Sequence, residues 1–357
     1  MNRSTSVFLD GLRVFAALWV FAHHCGLLFF SYLGLRGHAA VVIFFVLSGY
    51  VITFSTLSRQ NVKAKQYAIA RLSRLYSVVI PALVLSALMA LLGFAFSPAF
   101  YEIVIRGHEG FRYAATAFFL QAIWGWNLVP GDNGPFWSLS YEFWYYVLFG
   151  LVVFARGWKW KVGLSLAVAL LVGPSILLLM PIWLLGVGLY LYRDRFRLAP
   201  APATVVFIVA MLLCVGFTVM VPDYPANAGA PPLIYASAFL TDWLFGLGVT
   251  VIIWSFDQAW GTLAVKTAFE NAIRWAANHT FSLYLFHYPL ILFVSSLGFF
   301  HADIGWQLLL AVVVILGVVI ALSEFTETKR KLFQKAVAGI WDRIEHFPAR
   351  KEAASEL

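Results

Sequence analysis

Apolar residues in this chain run in long blocks punctuated by short basic clusters. A helix needs about 20 predominantly apolar residues to cross a bilayer. Blocks suited to crossing fall near residues 8–28, 39–57, 76–96, 136–155, 162–178, 180–192, 203–221, 235–256, 278–298 and 305–325. The sixth is short, and the pattern predicts that it joins the fifth through Pro181 as a bent pair. A further apolar stretch at 113–128, built around FFLQAIWGWNLV, carries Gln121 and Asn127 inside it.

Charge decides how to treat that extra stretch. With the N-terminus in the cytoplasm, ten crossings place 59–74, 156–161, 193–199, 257–277 and the C-terminal tail on the same side, with 22 of the 25 Lys and Arg. That is the positive-inside distribution. A full crossing at 113–128 would move the RGWKWK and RDRFR clusters outside. The segment is therefore expected to be re-entrant or interfacial, its irregular backbone satisfied by protein or water. The expected fold is all-α: a polytopic bundle of about ten transmembrane helices with both termini cytoplasmic. It divides into a transmembrane domain over 1–328 and a basic tail over 329–357, where KRKLFQKAVAGIWDRIEHF reads as an amphipathic helix on the inner leaflet or as a solvated juxtamembrane helix.

Composition narrows the class without changing the picture. A hydrophobic fraction of 62% with 12% charged residues and a mean hydropathy of +0.83 imply an integral, multi-pass membrane protein and exclude a sizeable soluble domain. The net charge of +8 follows from topology, so no nucleic-acid partner is expected. Cys25 and Cys214 lie in apolar blocks without short-spaced partners, which argues against a disulfide framework or a metal site. Asp10 and Arg13 interrupt the first block and no small-residue cleavage site follows, so it is expected to be a retained span.

Polar groups inside the blocks carry the chemistry. Arg13 and His24 stand eleven residues apart in FLDGLRVFAALWVFAHHCG. That spacing is about three helical turns and a rise of roughly 16 Å, so the two side chains share a face. Ionisable groups at such depth are functional candidates by default; the bland alternative for His24 is a packing histidine. His23 points about 100° away around the helix and is secondary. FFVLSGYVIT holds Ser48 and Gly49, a pair that also suits close helix contact. In YAIARLSRLYSVVIPAL, Arg71 and Arg74 lie one turn apart at the inner start of the third span. They either clamp phosphates or only fix topology.

PFWSLSYEFWYYVLFG is the most informative of these segments. Glu142 sits six residues into a span that starts on the outer side, with Ser138 one turn behind it and Ser140 nearby. A carboxylate there needs a partner, and a histidine at similar height on another span is the natural one. Such a pair is what general-base chemistry on a hydroxyl requires; a structural, hydrogen-bonded or protonated glutamate is the alternative. SLYLFHYPLILF places Tyr284 and His287 three residues apart ahead of Pro289. Asp242, in FLTDWLFG, is a further buried acid whose role, site or structural, the sequence leaves open.

These segments, in this order, make the chain similar to membrane-bound acyltransferase family 3, bacterial integral-membrane O-acyltransferases of surface and exported glycans. The resemblance runs from LDGLRVFAALWVFAHH through FFVLSGYVIT, RLSRLY and WSLSYEFWYYVLFG to LYLFHYPL. It implies that His24 is catalytic in the arginine–ten-residue–histidine motif begun by Arg13. It implies that Arg71 and Arg74 engage the acyl donor, that Ser138, Ser140 and Glu142 form the WSLSxE-like motif, and that His287 is the late histidine. The chain has YEF where many members have VEE, so no role is expected for a second adjacent carboxylate. Some members carry an esterase-like domain after the spans, and none is expected here.

Resemblance and residues together imply transfer of an acyl group, acetyl above all, from cytosolic acyl-CoA to a saccharide or lipid-linked glycan. Acyl-CoA serves as co-substrate, with no permanently bound cofactor or metal. In this scheme His24 is a general base oriented by Glu142, or is itself acylated in a two-step route. Arg13, Arg71 and Arg74 bind the donor, and Ser48, Ser138, Ser140, Tyr284, His287 and Asp242 bind substrate or support the site. A transporter of glycan precursors is the competing class, since broken helices and midplane charges suit one, but no inverted repeat is visible.

Overall fold

The computed structural model describes residues 1–29, 36–59, 61–225 and 231–355. Its described residues form helices and turns without strands. Every apolar block lies on a helix: α1 (Arg3–Phe29), α2 (Gly37–Leu57), α3 (Ala64–Phe96), α6 (Trp137–Phe154), α7 (Trp158–Val172), α8 (Pro174–Tyr192), α9 (Pro200–Met220), α10 (Phe239–Trp260), α12 (Thr280–Ser296) and α13 (Gly305–Phe325). Short helices α4 (Pro98–Val104), α5 (Glu109–Ala117) and α11 (Thr267–Ala277) and the C-terminal α14 (Arg330–Ser355) complete the set. Seven of these, α1, α2, α3, α8, α9, α10 and α13, are long and apolar enough to cross a membrane, where the sequence pattern predicts ten. The other three are shorter or more polar: α6, for instance, spends Ser138, Ser140, Tyr141 and Glu142 in its first two turns.

The fifth and sixth predicted spans need a correction. The break falls at Gly173–Pro174, between α7 and α8, and Pro181 lies inside α8. Gly173 takes φ +79, open to glycine but strained for other residues, and Pro174 suits a first helical turn, where no N–H is needed. The third helix also starts earlier than the apolar block, at Ala64, where the Gln66 side chain accepts the Lys63 N–H at 3.1 Å. Arg71 and Arg74 are therefore fixed on helix and not on a loop.

Residues 113–128 turn back on themselves. The Arg112 guanidinium donates to the Asn127 carbonyl at 2.7 Å, and the Leu128 N–H donates to the Gln121 carbonyl at 3.0 Å. Gln121 is fully buried and donates through Nε2 to the Phe136 carbonyl at 2.7 Å, tying the segment to the start of α6.

Polar pairs gather at two ends. At the basic end Arg3 pairs with Glu270, Arg274 with Asp10 (3.0 Å) and Glu270 (2.8 Å), and Thr5 with Asp257, joining α1, α10 and α11. Lys65 reaches Asp342 (2.8 Å) and Glu345 (2.6 Å), which docks α14 against the start of α3. The tail thus packs on the bundle, where the sequence suggested a helix resting on lipid or in solvent. At the far end Arg36 pairs with Asp223 (3.2 Å), Arg106 with Asp132 (2.7 Å) and His38 with Asp242 (2.9 Å).

Helices differ sharply in burial. Along α9 only 11% of its most apolar window is buried, and Leu212, Leu213 and Val219 are exposed. That surface suits lipid, as an apolar face of this size is unusual on a soluble protein. α2 is the most buried of the spanning helices, at 67%. It meets α8 backbone to backbone: a Cβ at Gly49 would collide with the Trp183 carbonyl, and one at Gly186 with the Val46 carbonyl. Small residues that let helix backbones approach are the membrane solution to packing without a hydrophobic drive between helices. The contact also fixes Ser48 beside Trp183, whose indole N–H donates to the Ser48 hydroxyl at 3.2 Å.

Candidate active site

Four helices, α1, α2, α3 and α6, with the start of α12, enclose a cavity of about 80 Å³ toward the basic end. That is room for several waters or a two-carbon acyl group. Arg13, Arg71 and Arg74 line it together with Glu142, Ser48, Ser138, Tyr146 and Tyr284. Arg13 faces this cavity for the helical reason given above: three turns below His24, on the same face.

Glu142 is held by hydroxyls. Ser48 Oγ donates to its Oε1 at 3.0 Å and the Tyr146 hydroxyl, one turn further along α6, donates to the same oxygen. Arg13 and Arg71 lie within electrostatic reach of the carboxylate. Arg13 is itself 3.6 Å from Asp10. Arg71 and Arg74 form no ion pair among the described residues. Among the described residues Arg71 makes one long hydrogen bond, to Ser55 Oγ at 3.4 Å, its guanidinium lies over the Tyr67 ring at 5.8 Å from the centroid, and its buried Nε has no hydrogen-bond partner. An unmatched buried donor costs about 1–3 kcal/mol, more for a charged group, so an acceptor placed in this cavity would offset that cost.

Two residues of the cavity lining meet in a hydrogen bond between Ser138 Oγ and the Tyr284 hydroxyl, 2.6 Å long. One turn beyond Tyr284 on α12 is His287, fully buried, and His24 Nδ1 lies 2.8 Å from its Nε2. His287 Nδ1 lies 2.6 Å from the Leu283 carbonyl. A carbonyl only accepts, so that nitrogen carries the hydrogen; with both rings neutral, His287 Nε2 is an acceptor and His24 Nδ1 donates to it. The lone pair of His24 is then on Nε2, for which no hydrogen bond is found among the described residues. Tyr288 packs edge-on against the His24 ring with centroids 4.9 Å apart.

The expected pairing of His24 with Glu142 is not what the structure contains. No hydrogen bond or ion pair joins them among the described residues; His24 meets His287, and Glu142 meets Ser48 and Tyr146. The reason is depth. α6 descends from the far end, so Glu142 lies a turn below Ser138, on the arginine side of the Ser138–Tyr284 contact, while His24 lies beyond it. Two residues expected to bind substrate or support the site lie outside this cavity. Ser140 lines no part of the cavity; it is fully buried and donates to the Phe119 carbonyl at 2.7 Å, pinning the re-entrant segment. Asp242 stands at the far end with His38, away from the arginines.

Three residues escaped the sequence reading. Tyr146 is spaced i+4 from Glu142, a signal that the pair shares a face. Glu327, just past α13, accepts the Ser282 N–H (2.9 Å) and hydroxyl (3.1 Å) within electrostatic reach of Arg13 and Arg74. Its position after the last apolar block gave no signal. His38 had only its place at the start of a span to mark it.

Helical bundle, half-buried arginines and an imidazole pair between its two ends describe a polytopic membrane protein with polar groups deep in its core. The family described as an acyltransferase domain matches residues 6–324. The chain belongs to that family, the membrane-bound acyltransferase family 3 that its motifs resemble. It is 25% identical over 332 residues to peptidoglycan O-acetyltransferase OatA of Listeria monocytogenes, an alignment covering 79% of this chain and 49% of that protein. The chain thus spans about half the length of the curated relative it matches. No solved structure matches it.

Proposed function

We propose that the protein is a membrane O-acetyltransferase that moves an acetyl group from cytosolic acetyl-CoA to a hydroxyl of a saccharide in an envelope or exported glycan. The basic end faces the cytoplasm in this reading, as the positive-inside rule requires. The observation that carries it is the hydrogen-bond chain from His24 through His287 to the Leu283 carbonyl, which leaves His24 Nε2 as a free base above a cation-lined cavity.

Arg71 and Arg74, with Arg13, take the phosphates of the donor; a guanidinium fork matches phosphate oxygens. The slender pantetheine arm runs from there toward His24, a span of roughly 16 Å along α1. To pass, it separates Ser138 from Tyr284. His24 Nε2 removes the proton of the acceptor hydroxyl as its oxygen attacks the thioester carbon. The tetrahedral intermediate collapses, the C–S bond breaks, and the imidazolium returns its proton to the leaving thiolate. The products are the acetyl ester and free coenzyme A. His287 holds the ring orientation throughout. Glu142, with Ser48 and Tyr146, offsets the arginine charge and keeps the cavity formed when no donor is bound.

The relative's name makes a cell-wall glycan the first acceptor to try. Protein purified into nanodiscs is given acetyl-CoA and saccharide acceptors, and free thiol and acetylated product are measured. Thiol release matched by ester formation, lost in His24→Ala with the fold intact, is the expected result. No thioester consumption with any acceptor would overturn the reading and favour transport.

A further inference from the structure

A second histidine pair stands at the far end and takes no part in the mechanism above. His38 Nε2 lies 2.9 Å from Asp242 Oδ2. The carboxylate is buried, with 8% of its side chain exposed, whereas 34% of the histidine side chain is exposed. The other ring nitrogen, Nδ1, has no hydrogen-bond partner among the described residues. A histidine serving only to tie α2 to α10 needs neither that exposure nor a free nitrogen.

Its surroundings are those of a recognition surface. The His38 ring stacks on Trp137, with centroids 5.2 Å apart and planes 2° from parallel, and Trp137 stacks in turn on Tyr235 at 4.8 Å and 6°. The Tyr235 hydroxyl donates to Asn127 Oδ1 at 2.7 Å. The aromatic stack fixes the ring plane and Asp242 fixes its rotation, so Nδ1 is held at a defined place. The pair is also next to the reaction centre on two sides. Trp137 precedes Ser138, whose hydroxyl meets Tyr284. Gly37, which precedes His38, abuts the ring of His23, the neighbour of His24.

We infer that His38, held by Asp242, is a positioning residue for the acceptor: its Nδ1 accepts a hydrogen bond from a hydroxyl of a neutral, polyhydroxylated substrate entering from the far end. The carboxylate accepts the Nε2 hydrogen, which leaves Nδ1 with a lone pair that hydroxyl donors match. A substrate lacking that hydroxyl leaves the nitrogen unmatched, and sites built to hydrogen-bond a hydroxyl discriminate strongly against analogues without it. The inference rests on the saccharide-acylation reading and adds the residue that selects the acceptor.

The test is steady-state kinetics of full-length protein in nanodiscs, varying acetyl-CoA and a soluble muropeptide-type saccharide independently. His38→Phe keeps a ring to stack on Trp137 and removes both nitrogens. It should raise the acceptor KM about tenfold or more, leaving the donor KM unchanged and kcat within about twofold, because one acceptor hydrogen bond is lost. His38→Gln, which retains an amide for Asp242, replaces it if the phenylalanine variant does not fold. An unchanged acceptor KM in an active, folded variant overturns the inference and leaves the acyltransfer reading standing. Equal losses for donor and acceptor, or a kcat loss alone, also overturn it by showing a structural role. A wild-type protein that releases thiol yet acylates no saccharide removes both readings together.

Discussion

The two histidine pairs of this molecule differ in what holds the imidazole. His38 is held by a carboxylate, whereas His24 is held by a second imidazole whose own hydrogen goes to a main-chain carbonyl. A carboxylate partner takes the Nε2 hydrogen and fixes the ring's rotation, leaving Nδ1 to hold a substrate. An imidazole partner adds no charge, so His24 keeps its lone pair inside an apolar bundle, as a base that must be neutral before it acts requires. The sequence pattern suggested the reverse, a carboxylate for His24, the proposed base. What separates the pairs is height in the bundle, and the chemistry follows from the partner each height supplies.

Breaking the first pair has the largest expected effect. His24→Ala should lower kcat by about 10³-fold or more, as loss of a general base typically costs 10²–10⁴-fold, and a stopped assay of ester formation reads it. Asp242→Asn measured in parallel should fall far short of that; an equal loss would interchange the roles of the two pairs. His287→Phe leaves the base but frees its ring. About 10²-fold in kcat is expected from misorientation, with both KM values nearly unchanged.

Smaller effects sharpen the contrast between the arginine cavity and the far end. Arg71→Lys should raise the acetyl-CoA KM about tenfold, equivalent to about 1.4 kcal/mol, because an ammonium replaces a fork. The acceptor KM should stay as it was. Gly186→Val drives a side chain into the Val46 carbonyl and displaces Ser48 from Glu142. Overpacking of that kind costs about 1–3 kcal/mol, visible as a lower thermal midpoint in detergent. The smallest effect is at the basic end, where Arg3 and Arg274 hold the Glu270 carboxyl below its usual value. A carboxylate held low stabilises the fold above its unfolded value and loses that contribution as pH falls through the folded one. Wild-type protein should therefore lose thermal stability on acidification below the ordinary carboxylate range more steeply than Glu270→Gln.

Much of the site was legible as local spacing. Arg13 and His24 fall on one face because helical periodicity alone requires it, and Arg71 with Arg74 likewise needed only a helix. The re-entrant reading of 113–128 came from charge, and the observed turn at Arg112–Asn127 is compatible with it. Ser140 illustrates the limit: its motif neighbours line the cavity, while its own hydroxyl faces the Phe119 carbonyl of a segment 21 residues earlier. Position on a helix tells which way a side chain points, and says nothing of what stands there.

The sequence by itself determined the class of protein, most of its helices and which polar residues stand inside them, since hydropathy, periodicity and the cost of charge in hydrocarbon act locally along the chain. Only the tertiary structure decided the partners: His287 for His24, Ser48 and Tyr146 for Glu142, Asp242 for His38. Those choices depend on the relative heights of helices far apart in sequence. Interhelical packing sets those heights, through contacts such as Gly49 and Gly186 between α2 and α8, and no local pattern encodes them.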